Sequence, residues 1–345
     1  MARFKRYNKV YRKKQAVILH ENEKNDYLYS YQERKEIAMK NLVIETKQLT
    51  KVYGEQTAVH SINLHVEKGR IYGLLGRNGA GKTTIMKMIL GLTSVTSGEV
   101  EVFGRSVRGQ EKKIYPRIGA TIETPGFYPN LTGTENLEIF AKLRGTSRPD
   151  AVKNALEVVG LPFKDKKLFS KYSLGMKQRL GIANAIMHDP ELLILDEPIN
   201  GLDPIGIAEI RKFLQDLSRE RGKTILISSH ILSEIDLLAD DIGIIHEGKL
   251  LEESSMDELR KKNQKYILFR VSSTSAAARI LEQKCGEVKY RIEDDNIMRI
   301  YDTGMDLSIV NQMFITNNIG VYESKVCDES LEDYFKEITG GVGIA

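Results

Sequence analysis

The spacing Gly76-Arg77-Asn78-Gly79-Ala80-Gly81-Lys82-Thr83-Thr84 constrains this chain more than any other stretch. In G-x-x-x-x-G-K-T the glycines let successive backbone N–H groups turn inward with no Cβ in the way. The helix that follows aims its positive dipole end at an anion. Such a loop cradles a triphosphate, with Lys82 reaching the β- and γ-phosphates and the Thr83 hydroxyl placed to ligand Mg²⁺. The motif requires a strand before it and a helix after it. Residues 69–75 read as a short apolar strand bounded by glycine, and 84–90 as an apolar helical segment stopped at Gly91. The ligand class is therefore a Mg-nucleotide.

Further along, residues 192–195 and 224–228 are continuous apolar runs, as expected of strands buried on both faces of a parallel sheet. Helical patterns at 205–221 and 232–238 provide crossovers, and 133–187 is dense in helical periodicity. Strands alternating with helices mean α/β. Ahead of the phosphate loop, 43–46 and 58–66 read as paired strands with turns at Tyr53-Gly54 and Glu67-Lys68-Gly69. Residues 98–103 and 118–122 are also strand-like. Past Lys249 the texture changes and a boundary falls near residue 255. Strands at 266–271, 288–292 and 297–301, with helices at 276–284, 307–316 and 331–338, predict a small α+β unit. It carries no chemical motif and reads as regulatory or partner-binding, with a purely structural role as the alternative.

At 345 residues and 41% hydrophobic, the chain has the apolar content for two domains. No run approaches the ~18–20 apolar residues that span a bilayer, and the N-terminus lacks the apolar centre of a signal peptide, so the chain is expected to be soluble on its own. Cys285 and Cys327 show no metal spacing and read as reduced thiols, which fits a reducing cytoplasm. The net charge of +4 is uneven: residues 1–40 hold 11 Lys and Arg against 5 Asp and Glu, and the remainder 40 against 42. That leader reads as a disordered solvated tail or as an arm for nucleic acid or acidic lipid. A third reading places it outside the native protein. Met39 opens naturally onto the first strand, and Lys35-Glu36 could be encoded by a ribosome-binding sequence. The expected organisation is a leader at 1–40, a nucleotide-binding domain at 41–255 and an accessory domain at 256–345.

Leu192-Leu193-Ile194-Leu195-Asp196-Glu197 is an apolar strand ending in two acids. Strand C-terminal ends line the ligand crevice of a parallel sheet, so Asp196 falls where Mg²⁺ must be held and Glu197 where a water can be polarised. These motifs, with Tyr53, Tyr172-Ser173-Leu174-Gly175-Met176, Asn200-Gly201-Leu202-Asp203 and Ser229-His230, resemble the ATP-binding subunit of an ABC transporter over residues 42–250.

The resemblance implies a mixed-sheet core, an antiparallel β subdomain and a helical subdomain. It implies ATP contacts from Tyr53, residues 76–84, Glu123, Ser173, Gly175 and Asp203, with catalysis by Glu197, His230 and Lys82. Thr83, Glu123 and Asp196 would hold Mg²⁺. The implied partners are a second copy of the chain, which presents Ser173 and Gly175 across the phosphate, and a separate transmembrane permease at the cytoplasmic face of the membrane. No nucleic acid is implied. Leu174 and Met176 depart from the usual Leu-Ser-Gly-Gly-Gln signature, and Glu123 stands where the family usually has Gln. Glu123, residues 124–132, the variant signature and the closing Leu331-Glu332-Asp333-Tyr334-Phe335 are together similar to the bacitracin-resistance and lantibiotic-immunity subgroup. That implies a peptide-antibiotic cargo, with ion or lipid export and a non-transport ATPase as alternatives.

Overall fold

The computed structural model describes residues 41–339 apart from 124–125, 147, 263–264, 302–303 and 329–330. The basic leader at 1–40 lies outside the described residues. The strands, in chain order, are β1 Leu42–Tyr53, β2 Gln56–Ile62, β3 His65–Glu67, β4 Ile71–Leu75, β5 Ser97–Val102, β6 Arg105–Ser106, β7 Ile118–Thr121 and β8 Leu192–Leu195. They continue with β9 Thr224–Ser229, β10 Asp241–His246, β11 Lys249–Ser255, β12 Lys265–Val271, β13 Tyr290–Ile292, β14 Ile297–Ile300 and β15 Val321–Asp328.

The central sheet has the order β11-β10-β4-β9-β8-β7. All its pairs are parallel except β10 with β11. Every residue of β4 and β8 is buried, which explains why those segments read as unbroken apolar runs. One face of the sheet packs on the helices Leu174–Ile186, Pro204–Arg219 and Leu232–Leu238 through a core that includes Leu195, Leu214, Ile227 and Ile235. The other face packs on the helix Lys82–Ile89 and on a second, antiparallel sheet, through Leu74, Ile85, Met88 and Val102.

In that second sheet β1 pairs with β2, β3 and β5. The single strand expected at 58–66 is in fact two. The break is made by Thr46, whose hydroxyl donates to the Ile62 carbonyl at 3.0 Å and accepts from the Leu64 N–H at 2.9 Å, inserting a side chain into the ladder. β10 and β11 follow the helix Leu232–Leu238 and pair antiparallel with each other.

Past residue 255 an antiparallel sheet of order β13-β14-β12-β15 has its own core, with Phe269 and Phe314 in edge contact at 5.2 Å. β15, at the edge of this sheet, has only a weak alternation of polar and apolar residues and so carries no strand signal in the sequence. The last helix, Leu331–Ile338, leaves this small core, and its Leu331 and Phe335 are buried in the core that packs on the central sheet with Leu195, Leu214, Ile227 and Ile235.

His188 ties the helical layer to the sheet. Its Nε2–H donates to the Ile118 carbonyl at 3.0 Å, while Nδ1 lies 3.1 Å from Arg144 Nη1 and accepts from it. Burial first, and the Arg144 charge second, lower its pKa from the ordinary value of 6.5. The folded state thus favours neutral His188, so stability is present above 6.5 and is lost as pH falls and the unfolded chain binds the proton first. His188→Gln is expected to flatten the fall in denaturation midpoint on going from neutral to acidic pH, measured against wild type by chemical denaturation. An unchanged pH profile would count against this account.

Candidate functional site

The phosphate loop joins β4 to the helix Lys82–Ile89. Gly76 must lack a side chain, because a Cβ there would stand 2.3 Å from the Ile245 carbonyl oxygen of the neighbouring β10. Gly81 caps the helix at φ 108°, left-handed space that glycine enters without strain. No side chain among the described residues caps this helix, so its first-turn N–H groups remain directed at the loop's interior. Residues 77–84, with Thr57, Ala58, Glu197 and Gly248, line a cleft of about 410 Å³. The Lys82 side chain is 5% exposed, and its Nζ donates to the carbonyls of Gly76 at 2.6 Å and Arg77 at 3.2 Å. An ammonium and a run of N–H donors around an open cleft is the donor set that a polyphosphate needs.

Adjacent strand ends supply the acids. Thr83 Oγ1 donates to Asp196 Oδ2 at 2.9 Å, and Ser228 Oγ at the end of β9 donates to Asp196 Oδ1 at 2.6 Å. The same Ser228 oxygen accepts from the Glu197 N–H at 2.8 Å. Glu197 takes φ 48°, a left-handed conformation that costs a non-glycine residue about 1 kcal/mol or more. This bend turns its carboxylate back over the loop. Its Oε2 shares a 2.8 Å hydrogen bond with His230 Nδ1, and its Oε1 lies 3.2 Å from Lys82 Nζ. Although buried, Oε1 receives no well-directed hydrogen bond among the described residues.

A hydroxyl beside a carboxylate is a pair of hard oxygen donors and fits Mg²⁺, which takes one or two protein ligands and the rest from phosphate and water. Among the described residues no group of three or more His, Cys, Asp or Glu is gathered for a metal.

Other predicted residues stand elsewhere. Glu123, at φ 58°, is 2.6 Å from Lys87 Nζ, one helical turn beyond Thr83. Its carboxylate is thus held by a lysine, while Asp196 is held by Thr83 and Ser228. Tyr53 ends β1 half-exposed, its ring 4.7 Å from Lys51 Nζ and its hydroxyl 3.3 Å from Thr93 Oγ1. Ser173 and Asp203 are both helix caps: Ser173 Oγ accepts from the Met176 N–H at 3.3 Å, and Asp203 Oδ1 from the Gly206 N–H at 2.8 Å. Ser173, Gly175 and Asp203 line a separate cavity of about 570 Å³. A Cβ on Gly175 would meet Leu202 Cδ2 at 3.3 Å.

Sequence reasoning missed Ser228 and Lys87. A small hydroxyl residue at the end of a buried strand, next to Ser229-His230, was the available signal for the first. For the second, nothing distinguishes Lys87 from any helix-surface lysine.

A phosphate loop flanked by a strand that ends in two acids, over a mostly parallel sheet, defines a nucleoside-triphosphate-binding protein. Residues 59–200 match the ABC transporter family. Over 303 residues the chain is 57% identical to the bacitracin transport ATP-binding protein BcrA of Enterococcus faecalis, covering 88% of this chain and 98% of that protein. It is 45% identical over 215 residues to the lantibiotic transport ATP-binding protein SrtF of Streptococcus pyogenes, covering 62% of this chain and 92% of that one. A solved structure described as the ATP-binding subunit of an ABC transporter superposes with a TM-score of 0.57 at 29% identity, covering 64% of this chain and 92% of its own. The chain belongs to the ATP-binding subunits of the ABC transporter family; it binds ATP, and ATP hydrolysis is the family's activity.

Ser228→Ala is expected to destabilise the protein by about 1–3 kcal/mol, since it strands one Asp196 oxygen and the Glu197 N–H together. Chemical denaturation of the two proteins measures it, and a neutral result would show that the Asp196–Ser228–Glu197 bridge contributes nothing.

Proposed function

We propose that this subunit works as a pair with a second copy of itself, hydrolyses Mg-ATP at two shared sites, and drives a separate membrane permease that exports a peptide antibiotic. The observation that supports the pairing is the division of the site. Lys82 and Thr83 line the phosphate cleft, whereas Ser173 and Gly175 line a different cavity on the same chain. A second copy facing the first would bring its Ser173 hydroxyl and the N-terminus of its Leu174–Ile186 helix to the open side of the cleft.

Within one copy, Lys82 and the loop N–H groups bind the β- and γ-phosphates, and Thr83 and Asp196 would hold the metal. Mg²⁺, when bound, neutralises charge on the phosphate oxygens. Glu197 orients the attacking water and accepts its proton; Oε1, the oxygen without a well-directed hydrogen bond, is the one left to accept. His230 holds the other oxygen and so fixes the carboxylate plane. Tyr53 offers an aromatic face to adenine from the end of β1, and Asp203 caps the helix beside Ser173 and Gly175. Glu123, paired with Lys87 one helical turn beyond Thr83, is the third residue placed to contact the nucleotide and its metal.

Among the described residues no helix is long and apolar enough to cross a membrane. Membership of the ABC transporter ATP-binding subunits supports a separate permease and a place for this subunit at the cytoplasmic face of the membrane. Residues 41–255 form the nucleotide-binding domain in this reading, and 256–345 an accessory domain. The relatives named for bacitracin and lantibiotic transport support the choice of cargo.

Glu197→Gln is expected to bind ATP with near wild-type affinity while losing hydrolysis by about a hundredfold or more. A steady-state ATPase assay beside a nucleotide-binding titration decides it, and retained turnover removes Glu197 from the role. Deleting the gene from its native host is expected to raise sensitivity to bacitracin or a lantibiotic and to leave sensitivity to non-peptide antibiotics unchanged. Unaltered growth in every peptide antibiotic tried would point to another cargo.

A further inference from the structure

The helix Leu232–Leu238 begins two residues after His230 and is only 7 residues long. An isolated helix of that length is unstable in water, so its position is decided by what packs against it. On one side it meets β4. A Cβ on Gly73 would lie 2.7 Å from Ile235 Cγ2, so strand and helix touch with no space between them, three residues before the phosphate loop opens at Gly76. On the other side lies the C-terminal helix Leu331–Ile338. Its Phe335 is 1% exposed and its Leu331 7%, and both share a core with Leu232, Ile235, Leu238, Met256 and Leu259. A segment that belongs by sequence to the accessory domain thus completes the core beneath the nucleotide site.

That helix is also fastened to its own domain. Arg299 of β14, only 13% exposed, pairs with Asp333 of the helix at 2.9 Å and with Glu293 at 2.6 Å, and its guanidinium lies 4.5 Å from the Tyr266 ring centroid. A guanidinium held by two carboxylates and an aromatic face has a defined direction, so displacement of the small sheet carries the helix with it.

We propose that Phe335 and Asp333 are positioning residues for ATP hydrolysis. Through the helix Leu232–Leu238, the accessory domain sets the place of His230, and hence of Glu197, relative to the phosphate loop. The proposal rests on the reading of Glu197 and His230 as the hydrolytic pair. It assigns the accessory domain a target within its own chain, and by linkage nucleotide bound at the loop must be felt at the C-terminal helix.

The sequence contains no tryptophan, so Tyr334→Trp, on the partly buried side of that helix, is a single reporter. In the full-length protein its emission is expected to shift on titration with a non-hydrolysable Mg-ATP analogue, with the same half-saturation as a fluorescent nucleotide measured separately. Normal nucleotide binding with silent Trp emission overturns the proposal. Absent nucleotide binding overturns the reading of the site on which it rests.

The kinetic test uses Phe335→Ala, Phe335→Leu and Asp333→Ala, each assayed where thermal denaturation shows it folded. Loss of the aromatic ring or of the carboxylate is expected to lower kcat about tenfold with KM for ATP nearly unchanged, and leucine at position 335 to restore most of it. A kcat equal to wild type in folded Phe335→Ala and Asp333→Ala overturns the proposal, as does a loss shared equally by kcat and the folded fraction.

Discussion

A carboxylate held below the surface between an ammonium and an imidazole organises this molecule. Glu197 meets Lys82 at 3.2 Å and His230 at 2.8 Å, and the Lys82 side chain is almost wholly buried. Charges removed from water are costly unless each faces its opposite with further hydrogen bonds. Here the ammonium has two carbonyls as well as the carboxylate, and the carboxylate has the imidazole. Glu197 and His230 follow the ends of β8 and β9, and Lys82 opens the helix that the phosphate loop joins to β4; they meet because the sheet places those three strand ends side by side. Leu75 pairs with Ser229, and Leu195 with Ile227. One slip of register along any of these strands would reverse the faces and separate the charges. The fully apolar interior of the sheet therefore does two things at once, stabilising the fold and fixing the register that makes the site.

The two sides of that sheet are put to different uses. Below the loop, the core around Leu74, Ile85 and Met88 holds the phosphate-binding helix rigidly against the antiparallel sheet. On the opposite side, Phe127, Phe140, Phe169 and Tyr172 make a chain of ring contacts at 5.2–5.8 Å that joins the segment after Glu123 to the residue preceding Ser173. The helix capped by Ser173 is thus oriented by aromatic packing rather than by the phosphate loop. Gln178 adds a 2.7 Å hydrogen bond to the Asn200 carbonyl, which connects the same helix to the loop that follows Glu197.

Much of this was legible from the residues. The phosphate loop, the acids at the end of β8 and the buried parallel strands follow from spacing and apolar continuity. Other features have no local signature. The left-handed bend at Glu197 is a backbone state imposed by Ser228 and by the loop opposite, and glutamate has no preference for it. The split between β2 and β3 depends on the hydroxyl of Thr46, distant in sequence from both. β15 reads as polar because one edge of a small sheet is solvated. The docking of Phe335 is invisible in a single sequence, since an apolar stripe on the helix Leu331–Ile338 fits equally well against its own small core.

Glu123 shows how a residue expected beside the metal also meets a partner that no spacing in the sequence announces. Replacing an amide by a carboxylate beside a triphosphate invites the expectation that it binds the metal. The helix Lys82–Ile89 presents Thr83 and Lys87 four residues apart on one face, so a cation stands one turn along from the Thr83 hydroxyl. The carboxylate goes to that fixed cation at 2.6 Å. Glu123 is 66% exposed, and an ion pair in so much water is weak, whereas its left-handed backbone is a cost. The pair therefore cannot be what holds the loop in place. What holds the following segment is Phe127 in the aromatic cluster and Asn136, which accepts from the Tyr128 N–H at 2.7 Å and donates to its carbonyl at 3.1 Å. The position of the segment after Glu123 is therefore set by packing and by Asn136, with the exposed ion pair to Lys87 added at its edge.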